Sequence, residues 1–153
     1  MTEIIDKIDL KILRILQSDS SRSLDSISNE VGVSLNTCWR RISRLEKNSI
    51  IEGRVALIDN EKVGLPLTVF VSISTDDHSQ EWTKKLNNAV ISIKEIVEFY
   101  RLAGETDYIL KMMVKNVDHY DRVYKQLIKH VKISDVSASF AMEKIKFTTN
   151  LPI

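Results

Sequence analysis

The apolar residues of this chain change their period once. Up to about residue 50 they recur at helical spacing, and beyond about residue 66 short β-rich runs alternate with two helical ones. One uniform layer cannot satisfy both periods, so the expectation is an α+β chain with two domains. A length of 153 residues allows two small domains, each supported by the other or by a partner chain.

In the first part, Ile5, Ile8, Ile12, Ile15 and Leu16 give helix one, with Asp6 and Asp9 near its positive end. Ser23 is a suitable N-cap for a short second helix that carries Leu24, Ile27 and Val31 and ends at Gly32. Only Val33 and Ser34 separate it from a third helix, in which Leu35, Cys38, Ile42 and Leu45 form a narrow inward stripe. Two helices joined by so tight a glycine-containing turn predict a helix-turn-helix. From Ile50 to Ile58 two β-prone pieces broken at Glu52-Gly53 read as a small hairpin or wing. The first domain is therefore expected over residues 1–60, and 61–67 is a connector that ends in Gly64-Leu65-Pro66-Leu67.

The remaining residues, 68–153, read as βαββαβ, the ferredoxin-like order. A strand at Thr68–Ser74 precedes a helix capped by Ser79. Strands at Glu95–Ala103 and Asp107–Val114 flank a turn at Gly104–Thr106, and a helix capped by Asp118 leads to a last strand from about Ser134 to Phe147. Alternation in that strand slips near Glu143, which predicts a bulge. Phe70, Phe99, Ile109 and Phe140 are apolar residues available to the sheet face the two helices leave open.

Lys plus Arg number 22 against 21 Asp plus Glu, so bulk charge gives no argument for nucleic acid. The single cysteine, Cys38, excludes an internal disulfide framework, suits a reducing compartment and reads as a core residue. His78, His119 and His130 are too scattered for metal-ligand spacing. Residues 1–9 lack the apolar core of a signal peptide, and no run approaches the ~20 apolar residues of a membrane span. These features predict a cytoplasmic protein with no membrane partner, no metal and no cofactor.

Local charge is more informative. The first sixty residues carry nine basic and nine acidic side chains, but Ser34 to Arg54 has five against two. In helix-turn-helix docking, residues near the start of the second helix reach base edges while basic groups farther along hold phosphates. Ser34 caps that helix, Asn36, Thr37 and Arg40 suit the first role, and Arg41, Arg44, Lys47 and Arg54 suit the second. Trp39 either touches DNA sugars or packs beneath the wing, packing being the favoured reading. The competing reading is a solvated helix face with local ion pairs.

Asp9, Ile12-Leu13 and the run Val33-Ser34-x-x-Thr37-Cys38-x-x-Arg41-Ile42-x-Arg44-Leu45-Glu46 resemble the N-terminal signature of the Lrp/AsnC family of transcriptional regulators. Gly104-x-x-Asp107-Tyr108-Ile109-Leu110 resembles that family's effector-domain motif, and the Leu151-Pro152-Ile153 tail is similar to the family's ending. Cys38-Trp39-Arg40-Arg41, Arg101–Glu105 and Ser139–Glu143 look most like its cysteine-responsive subgroup. The resemblance implies binding to double-stranded DNA, regulation of amino-acid metabolism, and self-association as a dimer that builds an octamer or another higher assembly. It also implies a small amino-acid effector near Gly104, Glu105, Thr106, Asp107 and Tyr108, with Ser137 and Ser139 assisting. Two positions depart from the family pattern. Ser49 stands where a glycine usually follows the recognition helix, so Asn48 is expected to supply the left-handed residue. The Pro-Gly before the last strand is absent around Lys132-Ile133-Ser134.

An enzyme is the weaker reading, since no nucleophile-base pair, phosphate loop or dinucleotide motif is visible and no catalytic residue is assigned. The other alternative is an architectural DNA-binding protein that senses no ligand, with Asp107 serving only its turn.

Overall fold

The structure, a computed structural model, describes residues 5–153, so residues 1–4 of the first expected domain lie outside the described residues. The chain forms two compact units. One runs through Leu57 and includes the C-terminal segment Lys146–Ile153; the other is Ile58–Ile145. Residues 146–153, expected with the second domain, have polar groups that bond to helix α1, Lys7–Ser18. Arg14 Nε donates to Ile153 O at 2.7 Å, Gln17 Nε2 to Leu151 O at 3.0 Å, and Leu151 N returns a bond to Gln17 Oε1 at 2.9 Å.

Among the described residues three helices build the core of the N-terminal unit. Asp6 caps α1 by accepting from the amides of Ile8 and Asp9, and the Asp9 carboxylate accepts from the Asp6 amide in return. Ser23 caps α2, Leu24–Val31, which ends at Gly32 with φ 78°, and Ser34 caps α3, Leu35–Lys47. Ile12, Leu16, Ile27, Val31, Cys38, Ile42 and Leu45 share one core. Leu35, expected on the inward stripe, is exposed: it occupies the first turn of α3, at the edge of that core. Burial pushes the Cys38 thiol above its usual pKa, as expected for a core residue.

The chain leaves α3 through Ser49, not Asn48. Ser49 has φ 56° whereas Asn48 has φ −91°, and a left-handed non-glycine residue costs roughly 1 kcal/mol. The turn is held because Ile50 N and Ile51 N both donate to Leu45 O, which returns the two isoleucines to the core. The predicted hairpin does not form. Residues 52–58 carry no strand ladder, Gly53 lacks the positive φ a tight two-residue hairpin turn needs, and Val55, Leu57 and Ile58 are exposed.

The second unit follows the predicted order: β1 Leu67–Ser74, α4 Gln80–Ser92, β2 Ile96–Arg101, β3 Tyr108–Val114, α5 Val117–His130 and β4 Asp135–Phe140. The sheet is antiparallel in the order β2-β3-β1-β4. Alternation places Val69, Val71, Ile73, Tyr108, Leu110, Met112 and Val114 against Leu86, Val90, Val123 and Leu127 of the helices. Asn116, not Asp118, caps α5, its Oδ1 accepting from the His119 amide at 2.9 Å. The last strand stops at Phe140, so the bulge expected near Glu143 falls outside the sheet; the register shift observed lies in β2, between Ile96 and Glu98. Phe99 stacks on Tyr108 and Phe140 meets Tyr120 of α5 edge-on, which puts both on the helix-covered side. Of the four residues expected on the open face, Phe70 and Ile109 remain there, beside the Glu98–Lys111 ion pair.

Candidate DNA-reading helix and effector loop

The inward stripe of α3 divides its polar residues into two groups. Arg41 and Arg44 turn toward α1. Arg41 Nη1 donates to Asp6 Oδ2 at 2.7 Å and to Asp9 Oδ1 at 2.8 Å, and Arg44 Nη2 donates to Asp9 Oδ2 at 2.5 Å. The Asp9 carboxylate is fully buried, so these arginines compensate an otherwise unpaired charge and fix α3 against α1. The phosphate role expected for Arg41 and Arg44 competes with this buried demand, which the sequence signals by placing Asp9 at helical spacing with Ile12 and Leu16, the buried residues of α1. Arg54 is likewise engaged, by Glu46 Oε1 at 2.8 Å.

Asn36, Trp39, Arg40 and Lys47 form the second group. All are exposed, and none has a polar partner among the described residues. Thr37 Oγ1 accepts from Ser34 Oγ at 2.8 Å, and its amide donates to the same cap oxygen. Trp39 does not pack beneath a wing: 58% of its surface is exposed on the same helix as Arg40. The helix therefore presents amide, hydroxyl, guanidinium, ammonium and indole groups, the set that reads base edges and holds phosphates.

The α1–α3 ion pairs predict a pH response. The amide of Asp9 and the Arg41 guanidinium hold the Asp6 carboxyl at about 2, well below the ~3.9 of an unfolded aspartate. A depressed carboxyl stabilises the fold above its unfolded pKa and loses that contribution as pH falls through its folded value. Urea midpoints should therefore show wild type more stable than Asp6→Asn at neutral pH, with the gap closing between about pH 4 and pH 2. A gap that persists unchanged below pH 2 would show that the Asp6 charge does not produce it.

In the second unit the turn between β2 and β3 is closed by Leu102 N donating to Asp107 O at 2.8 Å, and Gly104 lies within it at φ 155°. Asp107 also ties the end of β1 to the start of β3: its amide donates to Ile73 O at 3.1 Å, and its Oδ2 accepts from Thr75 N at 2.8 Å. Gly104 and Glu105 are exposed and Thr106 is half-buried. Tyr108 is buried, its ring stacked on Phe99 with centroids 5.4 Å apart and tilted against Trp82 at 5.8 Å. Ser137 and Ser139 lie on β4, opposite Ser72 and Phe70 of β1, on the open face. The loop before β4, where the Pro-Gly is missing, is held by Trp82 Nε1 donating to Lys132 O at 2.7 Å and Asp76 N donating to Ser134 Oγ at 3.2 Å.

Residues 68–151 match the Lrp/AsnC ligand binding domain, and residues 5–52 match a winged helix-turn-helix DNA-binding domain. The chain belongs to the Lrp/AsnC family. Among relatives of this Lrp/AsnC regulator, the DNA-binding transcriptional activator DecR of Escherichia coli is 46% identical over 97% of this chain and 99% of its own length. The glutamate uptake regulatory protein of Zymomonas mobilis is 46% identical over 97% of this chain and 91% of its own. The crystal structure of an AsnC family transcriptional regulator from Agrobacterium tumefaciens superposes with a TM-score of 0.92 at 48% identity, covering 96% of both chains. A transcriptional regulator from Neisseria meningitidis, in complex with L-methionine, gives 0.91 at 31% identity over 97% of both. The chain is thus a DNA-binding transcriptional regulator, with the helix-turn-helix and βαββαβ sheet expected of that class. Among its described residues no helix is long and apolar enough to cross a membrane, and no group of His, Cys, Asp and Glu could hold a metal ion.

Proposed function

We propose that residues 1–60 read duplex DNA through α3, that 61–67 connect, and that the sheet domain within 68–153 associates with other copies and senses a small amino acid. The observation that carries the DNA part is the division of labour on α3: Arg41 and Arg44 brace it, while Asn36, Trp39, Arg40 and Lys47 stay exposed without polar partners. Asn36, Thr37 and Arg40 take base edges; Trp39, Lys47 and Arg54 take the backbone, Arg54 after leaving Glu46. A regulator that reads DNA in this way acts in the cytoplasm beside it. One short helix buries too little surface alone, so binding occurs as a dimer on near-palindromic sites.

The effector reading rests on the loop from Gly104 to Tyr108. An amino acid needs an acceptor for its ammonium and donors for its carboxylate. Asp107 or Glu105 supplies the first; open backbone amides around Gly104 and Thr106, with Ser137 or Ser139, supply the second. Binding of L-methionine by the Neisseria regulator supports an effector of this class. A ligand that favours one assembly shifts the oligomer, and with it the spacing of the DNA-binding heads.

The DNA test is a salt titration on a selected operator. Lys47→Ala should weaken binding on every sequence and reduce the slope of log affinity against log salt by about 1, whereas Arg40→Ala and Asn36→Ala should cost about 1–3 kcal/mol mainly on the preferred site. Binding indifferent to salt and to all three substitutions would remove α3 from the interface.

A further inference from the structure

Beside the effector loop, within the second unit, lies an open cleft of about 290 Å³ lined by His78, Gln80, Thr83, Lys84, Arg101 and Tyr108. No carboxylate lines it. Buried Tyr108, wedged between Phe99 and Trp82, gives it an apolar wall. Thr83 and Lys84 come from the first turns of α4, His78 and Gln80 flank its cap Ser79, and Arg101 ends β2, one residue before the effector turn begins at Leu102.

The charges around this cleft are unevenly satisfied. The side chains of Lys84 and Arg101 make no hydrogen bond or ion pair with any described residue, while His78 feels the neighbouring Asp77 carboxylate. Acids on either side of the α4 cap are engaged elsewhere: Asp77 Oδ1 accepts from the Ser79 amide at 2.9 Å, and Glu81 pairs with Lys85 at 2.7 Å, on the turn after the cleft. The Asp107 carboxylate is bonded to the Thr75 amide. The cleft therefore carries uncompensated positive charge from a planar guanidinium fork and an ammonium, with amide and hydroxyl groups beside them and the positive end of α4 at one wall. Such a surface favours a carboxylate over a neutral amide of the same shape, because only the carboxylate gains charge-assisted bonds.

We infer that this cleft receives the side-chain carboxylate of the effector, which makes the effector class the acidic amino acids. The inference rests on the effector reading above and extends it: the Gly104–Tyr108 loop takes the amino-acid backbone, and Arg101 with Lys84 selects the side chain. Glu105, exposed on the same loop and with its carboxylate unbonded, suits the ammonium of such a ligand and repels its side-chain carboxylate, which gives the ligand one orientation.

The experiment is calorimetry of the full chain with L-glutamate, its neutral isostere L-glutamine, and glutarate, which has no ammonium. Wild type should bind L-glutamate at least about tenfold tighter than L-glutamine, the scale of one charge-assisted bond. Arg101→Ala and Lys84→Ala, both at exposed positions, should each erase most of that preference while leaving circular dichroism unchanged. If L-glutamine binds as well as L-glutamate, or if the preference survives in both variants, the inference is overturned and the effector reading stands. If glutarate binds but neither amino acid does, and Arg101→Ala abolishes it, the cleft stands as a carboxylate site and its assignment to the effector side chain falls. If none of the three binds, the inference is overturned, and a thermal-shift screen of the twenty amino acids decides the effector reading.

Discussion

Replacing Asp9 with alanine is expected to lower the stability of the N-terminal unit by about 3 kcal/mol and to abolish DNA binding at temperatures where wild type binds. The Asp9 side chain has no exposed surface and meets two guanidinium groups and the Asp6 amide. Removing it takes one acceptor from each of the three, although Arg41 keeps Asp6 Oδ2. Breaking a buried pair in this way costs about 3–5 kcal/mol, and the lower end applies because Arg41 and Arg44 keep 22% and 40% of their side-chain surface and can turn to water. Part of the loss is the capping box, worth about 1 kcal/mol. Urea denaturation followed by circular dichroism measures it, with Asp9→Asn as the companion that keeps the shape and loses the charge. A change below about 1 kcal/mol in Asp9→Ala would mean that apolar packing alone positions α3. By the same logic Arg44→Ala should impair DNA binding through stability, unlike Lys47→Ala, which should leave the urea midpoint near that of wild type.

The sequence was most informative where local and long-range preferences agree. The bounds of α2 and α3 follow from their caps Ser23 and Ser34 and from Gly32, because a side-chain oxygen or a left-handed glycine terminates a helix whatever surrounds it. The βαββαβ order follows from alternation in β1 and β3, whose inward residues meet apolar helix faces. The sequence is less informative where distant partners decide. Arg41 and Arg44 look like any basic pair on an exposed helix until α1 brings a buried carboxylate to them. Residues 50–58 have strand propensity, but β-propensity expresses itself only against a neighbouring strand, and within one chain Val55 and Leu57 have none. Phe99 is available to the open face by its apolar character, whereas the register shift between Ile96 and Glu98 turns it toward Tyr108. The glycine-aspartate turn was legible as a turn, but the cleft next to it was not. His78, Lys84 and Arg101 lie on three separate stretches of chain, and no spacing rule connects them.

Asp107 poses the sharpest test of the effector loop, because a turn residue and a ligand-binding residue predict different behaviour for two substitutions at one position. Its Oδ2 accepts from the Thr75 amide at 2.8 Å and so closes the gap between the end of β1 and the start of β3. Asp107→Ala removes that acceptor and leaves the amide of buried Thr75 unpaired, which should cost about 1–3 kcal/mol of stability. Asp107→Asn keeps an oxygen for the Thr75 amide and loses the negative charge, so its stability should stay within about 1 kcal/mol of wild type. If the charge meets the ammonium of an effector, Asp107→Asn should nevertheless bind the amino acid about ten- to a hundredfold more weakly, the equivalent of one charge-assisted bond of roughly 1.5–3 kcal/mol. Calorimetry with the best ligand from a thermal-shift screen of the twenty amino acids measures the affinity, and urea midpoints measure the fold. An Asp107→Asn protein that folds and binds as wild type does would leave Asp107 as a turn residue and pass the ammonium to Glu105, whose carboxylate makes no bond to any described residue. Loss of affinity in Asp107→Asn with an unchanged urea midpoint has no structural explanation, because the Thr75 bond survives in that variant, and it would place the Asp107 charge against the ligand.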